Sequence, residues 1–127
     1  MKEIKAYIRR CCVNKVVDKL EQAGAPGITI VEIHPVGYGY EPNYFEEQFE
    51  DAFKRYSCLR IVKVEIVCRN KDVERLAGVI ERVAHTGGEG DGMIFVAEVT
   101  DAIRVRDGRR GEQVLEESPR YRRASRG

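Results

Sequence analysis

The sequence contains no tryptophan, only two histidines and two methionines, and almost no net charge. Each shortage excludes something. With His34 and His85 as the only imidazoles, there is little acid–base capacity near neutral pH. No Ser-His-Asp or Cys-His set is readable, so no catalytic residue is assigned and the expectation is a protein that is not an enzyme. A formal charge of +1 on 127 residues offers no bulk attraction to nucleic acid, which is not an expected partner. No apolar run approaches the roughly 18 residues of a membrane span. The first residues, MKEIKAYIRRCC, have no signal-peptide core, so a cytoplasmic protein without direct membrane insertion is expected. Cys11, Cys12, Cys58 and Cys68 form no C-x-x-C pair, so no metal site is assigned either. Reduced thiols, mostly buried in strands, are the simpler reading.

What is present suits one globular domain, since 43% of the residues are hydrophobic and there is no low-complexity block. In KEIKAYIR, Ile4, Ala6 and Ile8 alternate with polar neighbours, the period-two signal of a half-buried strand. Val13, Val16, Val17 and Leu20 then recur at helical spacing until Gly24, a residue suited to a left-handed helix end. GITIVEIHP and CLRIVKVEIVC read as further strands. Asn70 is placed to cap a helix whose stripe is Val73, Leu76, Ala77, Ile80, Val83 and Ala84. GMIFVAEV gives a fourth strand, followed by the short alternating stretch AIRVR. This order is β-α-β-β-α-β, the ferredoxin-like α+β arrangement. Helices would cover one sheet face. Several strands look apolar on both sides, so the other face calls for self-association.

Three segments carry the functional signals. The first is residues 37–57, GYGYEPNYFEEQFEDAFKRYS, a long insertion between strands that a few residues could join. It is either a packed loop with a wet acidic face or a partner-binding loop presenting Tyr40, Tyr44, Phe45 and Phe49. The second is HTGGEGDGMIFV, a glycine cluster that is either a plain turn or a cradle whose backbone N–H groups meet phosphate oxygens. The third is Arg104 and Arg106, spaced to project on one side of a strand as two donor forks, or to form the wet face of a surface strand. The tail, EESPRYRRASRG, is basic and lacks apolar periodicity, and Ser125 within it sits in a sequence of basophilic-kinase type.

Taken together, GITIVEI, KVEIV, TGGEGDGMIFV and AIRVRDGRRGE resemble the PII signal-transduction family, with the resemblance covering residues 1–115 and leaving 116–127 as a tail. It implies a homotrimer with its sheets packed inward and an adenine nucleotide in each cleft between subunits. Residues 85–93 would be the phosphate-holding B-loop, and 37–57 the T-loop that docks on a target, such as a transporter or an enzyme. The implied nucleotide contacts are Thr29, Gly37, Glu65, Val67, Gly87, Gly88, Gly90, Asp91, Gly92, Met93, Arg104 and Arg106.

The departures from the family pattern matter as well. Gly88 and Met93 stand where the family has lysines, the second a partner for Glu65, so preference for ATP over ADP or AMP should weaken. A lost charge-assisted contact is worth roughly 1.5–3 kcal/mol, or about one to two decades in affinity. Tyr38 and Gly39 replace an arginine and a glutamine, the latter helping to assemble a magnesium–ATP–2-oxoglutarate site. The resemblance therefore points to a divergent PII-like protein of carboxysome- or bicarbonate-transport-associated type, sensing ADP or AMP with bicarbonate as a second ligand. The alternatives are a nitrogen-regulatory PII protein sensing 2-oxoglutarate, or a metal-binding trimer of the CutA kind.

Overall fold

The computed structural model describes residues 1–34 and 61–116. Strand β1 (Lys2–Arg9) leads through one 3-10 turn into helix α1 (Val13–Gln22) and then strand β2 (Thr29–Glu32). Strand β3 (Ile61–Cys68), helix α2 (Val73–Ala84), strand β4 (Met93–Glu98) and a short helix α3 (Gln113–Glu116) follow. The sheet order is β2-β3-β1-β4, with every neighbouring pair antiparallel. This is the ferredoxin-like arrangement expected from the order of hydrophobic periods. The long insertion and residues 117–127 lie outside the described residues, so the T-loop assignments of Gly37, Tyr40, Tyr44, Phe45 and Phe49 do as well.

Alternation in β1 and β3 decides which face is dry. Ile4, Ala6 and Ile8 meet Val62, Val64, Ile66 and Cys68 under the two helices, which contribute Val16, Leu20, Leu76 and Ile80 to the same core. Gly24 has φ 83°, the left-handed conformation that releases the chain from α1. The start of α2 differs from expectation. Asn70 opens a 3-10 turn, and the helix begins at Val73 after Asp72, whose buried carboxylate accepts from Arg69 (3.2 Å) and Arg75 (2.9 Å).

The helix-free face also differs from the apolar surface expected. It carries Glu3 and Lys5 (3.3 Å) and Lys63 and Glu65 (2.9 Å) as ion pairs. Tyr7 and Phe95 stack edge to face beside them, with ring centroids 5.8 Å apart. The exposed large apolar groups among the described residues are Ile30 on β2, Met93, Phe95 and Val96 on β4, and Ile103 and Val105 beyond it, with Met93 and Phe95 on the helix-free face opposite Tyr7 and Lys5. Strand β2 spans four residues, Thr29–Glu32, of the longer stretch GITIVEIHP.

Two of the three described thiols are less buried than their reading as strand cysteines, and Cys58 lies outside the described residues. Cys68 is fully buried in β3, whereas Cys11 is exposed and Cys12 half-buried in the turn after β1. Burial, with Asp72 nearby, pushes the Cys68 thiol up to about 11. Only the thiolate is nucleophilic. Alkylation of the native protein at pH 8, followed by mass spectrometry, should therefore label Cys11 and spare Cys68 until denaturant is added.

Candidate functional site

The glycine segment forms a closed loop held from inside. Between α2 and β4, residues Glu89–Asp91 make a single 3-10 turn, and the Asp91 side chain folds back toward the start of the loop. Its carboxylate accepts from the backbone N–H of Thr86 (2.7 Å) and of Gly87 (2.8 Å), and also from the Thr86 hydroxyl. Arg9, at the end of β1, lies 3.4 Å from the same carboxylate and donates from Nε to the Gly90 carbonyl at 3.1 Å. Gly87 has φ 90° and Gly92 φ 100°, so both use backbone conformations that side chains rarely adopt. Gly92 is the stricter case. A Cβ there would stand 1.7 Å from the Tyr7 carbonyl oxygen, because the loop must pass over β1 before Met93 pairs with Tyr7.

These contacts assign Asp91 and Arg9 to shaping the loop. Asp91 takes up the first two N–H groups, the Gly88 N–H donates to the Thr86 hydroxyl (3.2 Å), and the Asp91 N–H donates to the Gly88 carbonyl (3.2 Å). Arg9 was not legible from the sequence: finding it requires knowing that β1 and β4 are neighbours. At Gly88, a Cβ would lie 3.1 Å from the Arg9 guanidinium, so that guanidinium crowds the place where a side chain would start. Met93, standing in for the family's second lysine, is half exposed at the first position of β4.

Hydrogen bonds from Thr86, first through its hydroxyl and then its backbone, with further help from Gly87 and Arg9, hold the Asp91 carboxyl down to about 2. For an acid whose folded value is depressed, the stabilisation is present above the unfolded value and vanishes as pH falls through the folded one. The Thr86 and Gly87 amide resonances should therefore stay fixed down to pH 4 and titrate together with a midpoint near 2 in an NMR pH series. A midpoint near 4 would mean that the carboxylate does not hold the loop.

Thr29, Glu65 and Val67 are brought together. They line one pocket of about 310 Å³ on the helix-free face, along with Glu3 and with Val114 and Leu115 of α3. Glu65 faces Thr29 across the β2–β3 pair and is ion-paired with Lys63, which occupies the carboxylate that a lysine at position 93 was expected to meet. The glycine loop is not part of this pocket. Met93, Tyr7, Lys63 and Val31 stand in register across the sheet, so its two edges are about 14 Å apart at about 4.8 Å per strand.

Arg104 and Arg106 do not form the strand pair that their spacing suggests. Ile103 makes a single bridge to Arg110, and Arg106 lies in the turn between them. Gly108, at φ 72°, closes that turn by donating to the Arg104 carbonyl at 2.7 Å. Arg104 is gripped by Asp107, its Nε lying 3.0 and 3.2 Å from the two carboxylate oxygens. This grip, with a backbone bond from Arg109, holds the Asp107 carboxyl far below the usual carboxylate range. No cluster of metal-ligating side chains is present among the described residues.

Fold and site together define a ferredoxin-like domain that offers a glycine loop at one sheet edge and a small pocket toward the other. Comparison with known proteins places that domain. The family model described as Nitrogen regulatory protein P-II matches residues 1–109. Nitrogen regulatory protein P-II of Azospirillum brasilense is 36% identical, covering 91% of this chain and 100% of its own. Its counterpart from Bradyrhizobium diazoefficiens is 38% identical over 87% of this chain and 96% of its own. A nitrogen fixation nifHD region GlnB-like protein 2 from Methanothermococcus thermolithotrophicus is 37% identical over 88% and 96%. The chain belongs to the nitrogen regulatory protein P-II family, a family of regulatory signalling proteins. That membership replaces the metal-binding trimer as the family reading. No helix among the described residues is long and apolar enough to cross a membrane.

Proposed function

We propose that this chain is a non-catalytic, cytoplasmic switch that binds ADP or AMP between the subunits of a homotrimer and acts on a partner protein through residues 37–57. The observation that carries the reading is the division of the predicted contacts between the two sides of the sheet. A cleft between two copies would set the glycine loop of one against the Thr29–Glu65–Val67 pocket of the other. The exposed Met93, Phe95 and Val96 on the edge strand β4, with Ile103 and Val105 beside it, supply apolar surface for that association. Arg104 and Arg106 are the cations for the phosphates. In the uncomplexed chain Asp107 occupies the Arg104 fork, so a nucleotide must share or displace that carboxylate.

A magnitude limits the mechanism. A micromolar ligand supplies about 8 kcal/mol in all, while fixing backbone costs about 1–2 kcal/mol per residue. The target, or a second ligand such as bicarbonate, therefore contributes to the switch alongside the nucleotide.

A second reading is nitrogen regulation, which the names of the relatives favour; the family resemblance would give it 2-oxoglutarate and magnesium–ATP as ligands. Against it stand Tyr38, Gly39 and Met93 at positions where the family pattern differs. Calorimetric titration with AMP, ADP and ATP, each with and without bicarbonate or with 2-oxoglutarate and magnesium, separates the two. Micromolar ADP or AMP binding that needs no 2-oxoglutarate supports the switch proposed. Binding seen only with ATP, magnesium and 2-oxoglutarate transfers support to the second reading.

A further inference from the structure

A second pocket, of about 340 Å³, lies behind the glycine loop, on the helix-covered side of the sheet. It opens where the last turn of α2 and the first residues of β4 part around the loop that joins them. Its floor is apolar: Ile8 of β1 and Ile80 of α2 belong to the core, and Ile94 of β4 packs half-buried against them. Its rim is polar and acidic. Glu81 and His85, four residues apart at the end of α2, stand on one side. Asp91 enters from the loop, with its carboxylate 3.8 Å from His85 Nδ1. No lysine or arginine is among the described residues that line the pocket. Asp91 is already taken up by Thr86, Gly87 and Arg9. Glu81 is exposed and has no ion-pair or hydrogen-bond partner among the described residues.

We infer that this pocket is a separate ligand site for a small organic cation, a primary ammonium carried on a short apolar or aromatic body. The isoleucine floor takes the body. The Glu81 carboxylate, an acceptor without a donor, takes the ammonium, which has three donors and no acceptor. An anion would meet two carboxylates with no lining cation to offset them. A neutral molecule of the same shape would gain the floor and little at the rim. The volume is that of a small-ligand pocket, at the low end of the usual range. The site is tied to the glycine loop because Asp91 and Gly92 belong to both. An ammonium beside Asp91 draws on the carboxylate that holds the Thr86 and Gly87 N–H groups, so occupancy is felt in the loop. The inference is independent of the nucleotide reading, since it uses neither the Thr29–Glu65–Val67 pocket nor Arg104.

The test is an NMR titration of the full-length protein, with isoleucine methyl and backbone amide groups labelled. Three probes of one shape are used: phenethylammonium, neutral phenethyl alcohol and the anion hydrocinnamate. The expected result with the ammonium is ring-current shifts at the Ile8, Ile80 and Ile94 methyls, with movement of the Thr86 and Gly87 amides. The ammonium should bind about threefold or more tightly than the alcohol, the scale of one exposed ion pair, and the anion should not bind. Glu81→Gln changes an exposed side chain and leaves the floor intact, and it should remove the advantage of the ammonium over the alcohol. Equal binding of all three probes, or an ammonium preference that survives in Glu81→Gln, overturns the assigned ligand class. Methyl shifts without movement of the Thr86 and Gly87 amides overturn the tie to the loop. No methyl shift with any probe, as when a neighbouring copy of the chain fills the hollow, overturns the site itself.

Discussion

Replacing Gly92 with alanine should both destabilise the protein and abolish nucleotide binding, the largest effect expected of any single methyl group in this chain. The added Cβ would lie 1.7 Å from the Tyr7 carbonyl oxygen and 2.8 Å from its carbon, both backbone atoms that cannot swing aside. The residue also sits at φ 100° and ψ −154°, a region that is essentially glycine-only. Backbone strain of about 1–3 kcal/mol and overpacking of about 1–3 kcal/mol act together here. At fixed protein concentration, the melting temperature should fall by roughly 10 °C or more. Gly87→Ala provides the contrast. Its φ is 90°, but nothing stands within 4 Å of the added methyl, so it should show the strain without the clash and lose less. Paired thermal melts decide the matter: equal losses in the two variants would mean that close approach to β1 is not what demands glycine at position 92.

Arg104→Ala should weaken ADP binding by about ten- to a hundredfold, the range of a lost charge-assisted contact of roughly 1.5–3 kcal/mol. Asp107→Asn should act in the opposite direction. Its carboxylate lies 3.0 Å from the Arg104 Nε and competes with a phosphate for the same fork, while also repelling it. Removing the charge releases the guanidinium, so ADP should bind more tightly, and the gain should shrink at high salt. Fluorescence or calorimetric titration of both variants checks the pair. If Asp107→Asn weakens binding as strongly as Arg104→Ala, the carboxylate is needed to aim the arginine rather than to occupy it.

Most of the fold was legible because it rests on periodicity. Ile4, Ala6 and Ile8 on β1, and Val62, Val64 and Ile66 on β3, alternate in sequence and are buried in alternation. The helical stripes of α1 and α2 are equally plain, and Val79 joins the second in the buried face. What escaped was anything that depends on which strands are neighbours. Arg9 braces a loop 81 residues away in sequence, which no local pattern encodes. Glu65 is ion-paired with Lys63, two positions along its own strand. Spacing alone put Arg104 and Arg106 on a strand, but Gly108 and Asp107 turn the chain between them and the returning Arg110. The pocket wall at Val114 and Leu115 could not be foreseen either, since QVLE has too few residues to show a period.

The central claim is that the adenylate site is built by more than one copy of this chain. Native mass spectrometry of the protein, with and without ADP, tests it most directly. The account predicts a trimer that takes up as many as three ADP molecules, and a trimer of Arg104→Ala that takes up few or none. A monomer that binds ADP, or a trimer that binds none at saturating concentration, would contradict it.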